Sequence, residues 1–318
     1  MTDTELHTIF GAGPVGLAVM DVLVQQGRRV RLVSRSGQRR IDIPPEVEIV
    51  AGDAMNPADT RRFCAGAVRV YNCTNAPDYH KWPEQFPQLQ RGVLAGAAAT
   101  GAKLVVIENL YMYGTTHGQP IHENLPHNAK GARGQTRMRM ARELMDAHQG
   151  GQVSVVVGRA SDFFGPRVVQ SAMGQQAFVA ALNGKRAQVL LHADYPHTYS
   201  YIPDIGRALV TLGDSASAYG QVWHIPSAET LTPRAFLQIV YEEARHPLRI
   251  QVVPRLMVKA LSYFVPPMRG IEELDYEFVE PFVVDASKFV TTFGNLSTSL
   301  REAIQTTLAW YKTHKEQH

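Results

Sequence analysis

The 318-residue sequence predicts an α/β fold in which a doubly wound parallel sheet is followed by a smaller, mostly helical C-terminal region. Through the first half, short β-type runs alternate with helical stretches. A glycine-rich turn directly follows the first of these strands and opens the first helix. After about residue 162 the alternation weakens, and glycine, proline and aromatic residues become denser. We therefore expect a sheet domain over residues 1–165 and a second region over residues 166–318, interleaved with the last strands of the sheet.

The pattern predicts the strands and helices in a regular order. Strands are expected at residues 8–10, 29–34, 47–50, 68–73, 103–108 and 153–158. Helices are expected from the glycine turn to about residue 26 and over residues 57–64, 89–100, 134–148 and 300–312. Gly27 and Gly101 are the stop signals of two of these helices. Because a helix separates most successive strands, the connections are crossovers, which favour parallel pairing.

The composition argues against several classes of protein. A formal net charge of +3 without a basic stripe does not suit a nucleic-acid surface. The sequence shows no apolar run long enough for a membrane helix and no secretory signal pattern at its start. Its two cysteines, Cys64 and Cys73, form neither a disulfide framework nor a metal-ligand spacing. These observations predict a reduced, cytoplasmic protein that binds neither nucleic acid nor membrane.

The glycine turn, Gly11-Ala12-Gly13-Pro14-Val15-Gly16, predicts a Rossmann-type dinucleotide site. Gly11 permits the tight turn, Gly13 lets the backbone approach a pyrophosphate, and Gly16 lets the helix pack on the strand. Pro14 and Val15 open the helix, whose N-terminal amides and dipole would face the phosphates. The alternative is a plain strand-to-helix turn. The position between an apolar strand and a helix favours dinucleotide binding.

The end of the second strand favours NADP(H) over NAD(H). A site that prefers NAD usually has an acidic residue here, which bonds the ribose 2′-hydroxyl. This sequence has Ser34-Arg35-Ser36 instead, followed by Arg39 and Arg40, with no carboxylate before Asp42. Hydroxyls and a guanidinium suit a 2′-phosphate, which a carboxylate would repel. The alternative is a solvated basic loop.

Several segments in a shared order resemble the extended short-chain dehydrogenase/reductase family, the NAD(P)-dependent epimerase/dehydratase group. They are "FGAGPVGLAV", "VAGDAMNP", "VYNCTNAP", "VVIENLYMYG", "GRASDFFGP", "YSYIPDIGRAL" and "PFVVDASKFVTTFG". The resemblance implies that Asp53 and Ala54 lie near the adenine and that Asn75 and Ala76 lie beside the cofactor. It also implies that Ala160 and Asp162, at the end of the sixth strand, complete the cofactor site.

The resemblance fails at the catalytic residues of the family. By position, Asn109 stands at the family's Ser or Thr, Gln135 at its tyrosine and Arg139 at its lysine. Gln135 has no titratable proton and cannot act as a general acid or base. Arg139 can bond a ribose or phosphate but does not usefully lose a proton. The sequence therefore predicts an atypical member of the family, lacking its Tyr-x-x-x-Lys pair.

Other residues could replace the missing tyrosine. Tyr111 and Tyr113 follow the fifth strand, where the nicotinamide end of the cofactor is expected, although Tyr113 also matches a packing tyrosine of the family. Glu108 and Lys130 are weaker candidates. The loop histidines His117, His122 and His127 suggest a metal site, but their spacing matches no standard ligand pattern, and a mobile flap over the substrate is favoured.

Two functions remain open at this point. The first is an NADP-dependent reductase, epimerase or dehydratase that acts on a sugar nucleotide or another small carbonyl or hydroxyl compound. The second is a catalytically silent NADP(H)-binding sensor, which the loss of the catalytic pair favours. Polar and aromatic residues of the second region favour the enzyme, because they would supply a substrate with donors and ring faces: Arg167, His192, Tyr195, His197, Tyr199 and Tyr201. The resemblance also implies a homodimer formed through the helix at residues 134–148.

Overall fold

The computed structural model describes residues 5–39, 42–76, 81–264 and 271–314, so Arg40 lies outside the described residues. Contacts divide the chain into two compact units. Unit 1 comprises Met1–Glu108, Gln135–Arg159 and Ile205–Trp223. Unit 2 comprises Asn109–Gly134, Ala160–Asp204 and His224–His318.

The strands and helices alternate through the first half of the chain. The strands are β1 Leu6–Phe10, β2 Arg29–Ser34, β3 Glu48–Ala51, β4 Ala67–Asn72, β5 Lys103–Glu108, β6 Val155–Arg159, β7 Phe163–Phe164, β8 Ala187–Leu190, β9 Ser200–Tyr201, β10 Val222–His224 and β11 Ile250–Val253. The helices are α1 Pro14–Gln25, α2 Pro57–Cys64, α3 Trp82–Thr100, α4 Ala132–Gln149, α5 Gln175–Leu182, α6 Ile202–Asp214, α7 Pro233–Glu243, α8 Arg255–Phe264, α9 Tyr276–Val279, α10 Ser287–Phe293 and α11 Leu300–Thr313.

Unit 1 is built on a seven-stranded sheet with the strand order β10-β6-β5-β4-β1-β2-β3. The pairings among β1 to β6 are parallel. The predicted α/β fold is thus confirmed, and each of the six predicted strands coincides with an observed strand to within a few residues. The strand order reverses between β1 and β4, which makes the carboxyl ends of these two strands the expected ligand-binding edge.

Two features of unit 1 differ from the sequence prediction. The third helix begins at Trp82, seven residues before the predicted start, and it contains Pro87. Proline lacks the amide proton of a helical hydrogen bond, yet α3 continues through Pro87. In addition, β10 extends the sheet beyond β6, and no strand was predicted there.

Helix packing in unit 1 depends on glycine. A Cβ at Gly206 of α6 would lie 2.6 Å from the carbonyl oxygen of Ala18 on α1. A Cβ at Gly92 of α3 would lie 1.9 Å from the carbonyl oxygen of Ala54. Both distances are shorter than van der Waals contact, so the backbones approach closely only because these residues have no side chain.

Unit 2 has its own core and two small parallel strand pairs. The pairs are β7 with β9 and β8 with β11. The core is rich in aromatic rings, among them Phe164, Phe178, Phe236 and Tyr311, which stack or meet edge to face. Among the described residues, no helix is long and apolar enough to cross a membrane.

Candidate functional site

The glycine turn lies at the ligand-binding edge of unit 1, between β1 and α1. Gly11 has a φ of 104°, and a Cβ there would lie 2.5 Å from the carbonyl oxygen of Cys73. The amide of Gly11 donates to the carbonyl oxygen of Val33 at 3.0 Å, and the amide of Cys73 donates to that of Phe10 at 2.9 Å. These bonds hold the turn against the ends of β2 and β4.

The start of α1 is open and carries no capping side chain. Gly13 is its N-cap residue, and a Cβ built on Gly13 would meet no atom within 4 Å. The first turn of α1 contains no acidic residue. By contrast, a Cβ at Gly16 would lie 1.8 Å from the carbonyl oxygen of Gly11. The turn is therefore packed tightly on its inner side and open at Gly13, which is the space that a pyrophosphate requires near helix amides.

The two described arginines after β2, Arg35 and Arg39, differ in their contacts. Arg35 is exposed, whereas the guanidinium of Arg39 donates to the carbonyl oxygens of Pro44 at 2.5 Å and Val47 at 2.7 Å. The hydroxyl of Ser34 accepts the amide of Gly37 at 3.1 Å. Arg39 therefore holds the following loop together, and Arg35 is the better candidate for a phosphate contact. The neighbouring Ser36 hydroxyl accepts the amide of Gln38 at 3.3 Å.

The other predicted cofactor residues of unit 1 lie after β3 and β4. The exposed Asp53 carboxylate accepts the amide of Met55 at 2.9 Å, and Ala54 is buried. The side-chain oxygen of Asn75 accepts the indole N–H of Trp82 at 3.2 Å, and Ala76 is buried. These contacts fix the loops that follow the two strands.

The residues that the resemblance places at the family's tyrosine and lysine both lie at the surface of α4. Gln135 and Arg139 are exposed, and a guanidinium nitrogen of Arg139 donates to the Thr136 hydroxyl at 2.9 Å. The neighbouring Arg137 is buried, and its guanidinium stacks 4.8 Å from the ring centroid of Phe86. Sequence reasoning missed Arg137, which is a structural residue of unit 1.

Glu108 takes part in a buried ion pair. Its carboxylate lies 2.9 Å from the Nε of Arg159, and the two residues are directly opposed on β5 and β6. Both side chains are buried. Glu108 is therefore bound to a structural partner, which does not suit the proton-transfer role considered for it.

The hydroxyl of Tyr113 is occupied within unit 2. It lies 2.8 Å from Nε2 of His224, and Nδ1 of this histidine lies 3.0 Å from the carbonyl oxygen of Asp285. Because a carbonyl only accepts, Nδ1 carries the proton, and the Tyr113 hydroxyl donates to Nε2. Tyr113 and His224 are both buried. This arrangement favours a packing role for Tyr113.

Tyr111 lines a small cavity of unit 2. The cavity measures about 100 Å³, and its walls include Thr115, Lys130, Glu273 and Tyr276. Asn109 lies just before it in the chain, and its side-chain oxygen accepts the Tyr111 amide at 3.4 Å. A tyrosine and a lysine at one cavity could bond an oxygen-rich ligand.

The three loop histidines of the metal hypothesis have different surroundings. His117 is exposed with a φ of 53°. His122 lines an open depression of about 450 Å³ together with Glu123, Asp285 and Lys288. The ring of His127 meets Tyr113 edge to face at 5.4 Å. Among the described residues, no three His, Cys, Asp or Glu side chains come together as metal ligands.

The polar and aromatic residues of the second region separate into three groups. Tyr199 and Tyr201 are buried in the core of unit 2. The rings of His192 and the exposed Tyr195 lie 4.6 Å apart and are tilted by 44°. His197 is buried and lies 3.3 Å from Asp162, close to a buried Glu277. The sequence carried no signal for Glu277, which lies 115 positions after Asp162. Ala160 is buried.

The comparisons with known proteins agree with this architecture. The model of the NAD dependent epimerase/dehydratase family matches residues 8–231. No curated protein matches the chain in sequence. Among solved structures, an epimerase from Methanothermobacter thermautotrophicus, Mth375, is similar with a TM-score of 0.82 and 18% identity, over 99% of this chain and 94% of that one.

Two further solved structures show the same fold. The UDP-glucose 4-epimerase of Thermus thermophilus, in complex with NAD, has a TM-score of 0.75 and 16% identity, over 97% of this chain and 99% of that one. A UDP-N-acetylglucosamine 4-epimerase from Methanobrevibacter ruminantium M1, in complex with UDP-N-acetylmuramic acid, has a TM-score of 0.78 and 14% identity, over 98% and 99% of the two chains. At these identities the likeness concerns the fold.

Proposed function

Because the chain belongs to the NAD-dependent epimerase/dehydratase family, we propose that it is an NADP(H)-dependent oxidoreductase, epimerase or dehydratase. Its substrate would be a sugar nucleotide or another small carbonyl or hydroxyl compound. The observation that carries this proposal is the open, uncapped start of α1 at Gly13, where an added Cβ would meet no atom within 4 Å. This space and the adjacent helix amides fit a pyrophosphate.

Unit 1 would hold the cofactor. Gly11, Gly13, Pro14, Val15 and Gly16 would surround the pyrophosphate. Ser34, Arg35 and Ser36 would contact the 2′-phosphate, and the loops that contain Asp53, Ala54, Asn75 and Ala76 would contact the adenine and the remainder of the cofactor. The nicotinamide supplies hydride transfer when it is bound.

The preference for NADP(H) rests on Arg35. Its exposed guanidinium follows β2, and no acidic side chain of residues 34–39 would repel a 2′-phosphate. A hydrogen bond between charged groups contributes about 1.5–3 kcal/mol, which corresponds to about 10- to 100-fold in affinity. The T. thermophilus neighbour was crystallised with NAD, so the preference needs a direct test.

That test is a fluorescence titration of the purified chain with NADPH and with NADH. We expect NADPH to bind more tightly, and Arg35→Ala to weaken NADPH binding about 10- to 100-fold with little effect on NADH. Arg61→Ala is the matched control, because Arg61 is an exposed arginine of unit 1 on α2. Equal affinities for the two nucleotides in the unmodified chain would refute the preference.

Unit 2 would bind the substrate, with Tyr111 and Lys130 as contacts at their cavity. Asn109 would position Tyr111 through the backbone. On α4, Gln135 would contribute a hydrogen bond without proton transfer, and Arg139 would bond a ribose or phosphate. Screening carbonyl compounds and sugar nucleotides for loss of the NADPH absorbance, or for epimerised product, tests this activity. The M. ruminantium neighbour, solved with a UDP-sugar, makes UDP-sugars the first compounds to screen.

A catalytically silent sensor is the second candidate, and Gln135 and Arg139 favour it. Tight NADPH binding without turnover across that panel would support the sensor.

Two accompanying proposals, on location and oligomeric state, are independent of this choice. The buried free thiols of Cys64 and Cys73 support a reducing, cytoplasmic location, and a homodimer through α4 is testable by light scattering.

A further inference from the structure

Asp162, His197 and Glu277 form a compact polar cluster in unit 2. Nε2 of His197 lies 3.3 Å from Oδ2 of Asp162, and Nδ1 lies 3.1 Å from the backbone carbonyl oxygen of Glu277. His197 and Glu277 are only 3% and 4% exposed, whereas the Asp162 side chain is 26% exposed. Asp162 is therefore the member of the cluster that a dissolved molecule can reach.

The two strands of a parallel pair fix this arrangement. Asp162 directly precedes β7, and His197 lies three residues before β9, its partner strand. The Ser200 amide donates to the carbonyl oxygen of Asp162 at 2.8 Å, and the Ser161 hydroxyl donates to that of Thr198 at 2.6 Å. Backbone pairing thus holds the carboxylate and the imidazole at the same place.

Aromatic rings surround the imidazole of His197. Tyr199 stacks on it with a centroid distance of 4.5 Å, and Phe282 and Phe278 stack at 5.0 and 6.0 Å. These apolar walls exclude water and strengthen any charge interaction within the cluster. Among the described aromatic residues around the imidazole, only Tyr199 has a titratable group. Burial raises the pKa of its phenol well above the ordinary value, so the phenol remains neutral.

The hydrogen bonds of His197 determine where protons can lie. The carbonyl of Glu277 only accepts, so Nδ1 of His197 carries a proton. A bare Nε2 facing an ionised Asp162 would oppose a lone pair to a negative charge at 3.3 Å. One proton must therefore lie between Nε2 and Oδ2. Among the described residues, Nε2 has no well-aligned hydrogen-bond partner, and Oδ2 of Asp162 faces it at 3.3 Å.

The Glu277 carboxyl adds a second buried acid. Burial raises its pKa well above the ordinary value, and the nearby charge of Asp162 raises it further. Glu277 therefore keeps its proton to higher pH than an exposed glutamic acid does. The cluster thus avoids having two carboxylates ionised together.

We propose that Asp162, His197 and Glu277 form a proton-sharing cluster in which Asp162 exchanges a proton with a substrate oxygen. The catalytic step rests on the proposed function. In the oxidative direction, the nicotinamide, when bound, would take up the hydride that leaves as the substrate C–H bond breaks. The O–H bond on the same carbon would break, its electrons would form the carbonyl, and its proton would pass to Asp162, while the proton that Asp162 and His197 already share would remain on Nε2. Reduction follows the same path backwards.

The cluster itself is tested by NMR of the full chain with ¹⁵N-labelled histidine and no added cofactor. His197→Gln assigns the signals of this ring. We expect Nδ1 of His197 to be protonated and Asp162→Asn to shift the Nε2 signal. Asp194→Asn, at an exposed acid of the same segment, should leave it in place. A bare Nδ1, or an Nε2 signal unmoved in Asp162→Asn, would overturn the cluster.

The catalytic role is tested with any substrate that the wild type converts. General acid–base groups contribute about 10²- to 10⁴-fold, so Asp162→Asn should lower kcat by that factor with a smaller change in KM and with unchanged NADPH affinity. His197→Gln should shift the pH dependence of kcat, and His246→Gln, at an exposed histidine of unit 2, should not. Thermal melts of all variants exclude unfolding as the cause.

The outcomes separate the two proposals. Weaker NADPH binding with an unchanged kcat in Asp162→Asn would show that this residue holds the cofactor, as the family resemblance implies, and would overturn the catalytic role. If the wild type converts no compound, the proposed function and the proton transfer both fail. The spectra still decide in that case whether the cluster shares a proton.

Discussion

Gly13→Ala should separate cofactor binding from folding. Gly13 has φ and ψ of −80° and −179°, which an alanine adopts without strain, and its Cβ would meet no atom within 4 Å. The folded chain should therefore accept the methyl group. By reducing the freedom of the unfolded chain, the substitution should even stabilise the fold by about 0.4–1 kcal/mol.

The same methyl group would occupy the space proposed for the pyrophosphate. If it displaces one phosphate oxygen from a helix amide, it removes one charged hydrogen bond, which contributes about 1.5–3 kcal/mol. Since about 1.4 kcal/mol corresponds to a factor of ten, NADPH affinity should fall about 10- to 100-fold. Titration with NADPH and urea denaturation of the same preparations measure the two effects.

Gly16→Ala is the contrasting variant. Its Cβ would lie 1.8 Å from the Gly11 carbonyl oxygen and 3.3 Å from Cγ2 of Ile9. The first turn of α1 must shift, at a cost of about 1–3 kcal/mol in the free energy of unfolding. The reasoning is refuted if Gly13→Ala binds NADPH as tightly as the wild type, or if it destabilises the fold as much as Gly16→Ala.

Two further predictions concern the buried groups of unit 1. Glu108→Gln removes the carboxylate charge that lies 2.9 Å from the buried Arg159, which should lower the free energy of unfolding by about 3–5 kcal/mol. Glu108→Leu combined with Arg159→Met should restore most of this loss. Urea denaturation measures both variants, and an equally unstable double variant would contradict the assignment. Burial raises the pKa of Cys73 from 9.0 to about 12. Burial also raises the pKa of Cys64 from 9.0 to about 12, because its effect outweighs that of Arg31, which lowers this pKa. Both thiols should therefore resist Ellman's reagent in the native chain at pH 8 and react on unfolding. Because the unfolded thiols ionise near pH 9 and the folded ones do not, this contribution to stability is complete below about pH 9 and is lost as the pH rises towards 12. Fast labelling of the native chain would contradict the burial.

The sequence was most informative where local patterns repeat. Each strand from β1 to β6 is a short run rich in apolar and β-branched residues, and the helices were predicted between these runs. The prediction was wrong where a local rule was outweighed by tertiary packing. In α3, Pro87 would ordinarily mark a helix boundary, yet Trp82 and Phe86 are buried and pack edge to face at 4.7 Å, and this burial favours an earlier start.

The place of the glycine turn between β1 and α1 was also predictable, because its signal lies within six consecutive residues that follow an apolar strand. Which of the arginines after β2 bonds the loop backbone was less predictable. Arg35 and Arg39 are equivalent in the sequence pattern, and only the folded loop shows that Arg39 bonds the carbonyl oxygens of residues 43, 44 and 47. A contact between a side chain and a backbone carbonyl cannot be predicted from residue types, since every residue has a carbonyl group.

The suitability of a group for proton transfer was the least predictable feature, and the reason is the same for each candidate. Tyr113 and Glu108 looked suitable because they follow or end a strand near the expected nicotinamide, but their partners, His224 and Arg159, are 111 and 51 residues away and occupy them. The capacity of a group to transfer a proton depends on what its polar atoms already bond, not on its position along the chain. By that criterion, the unaligned Nε2 of His197 beside the partly exposed Asp162 suits proton transfer better than either.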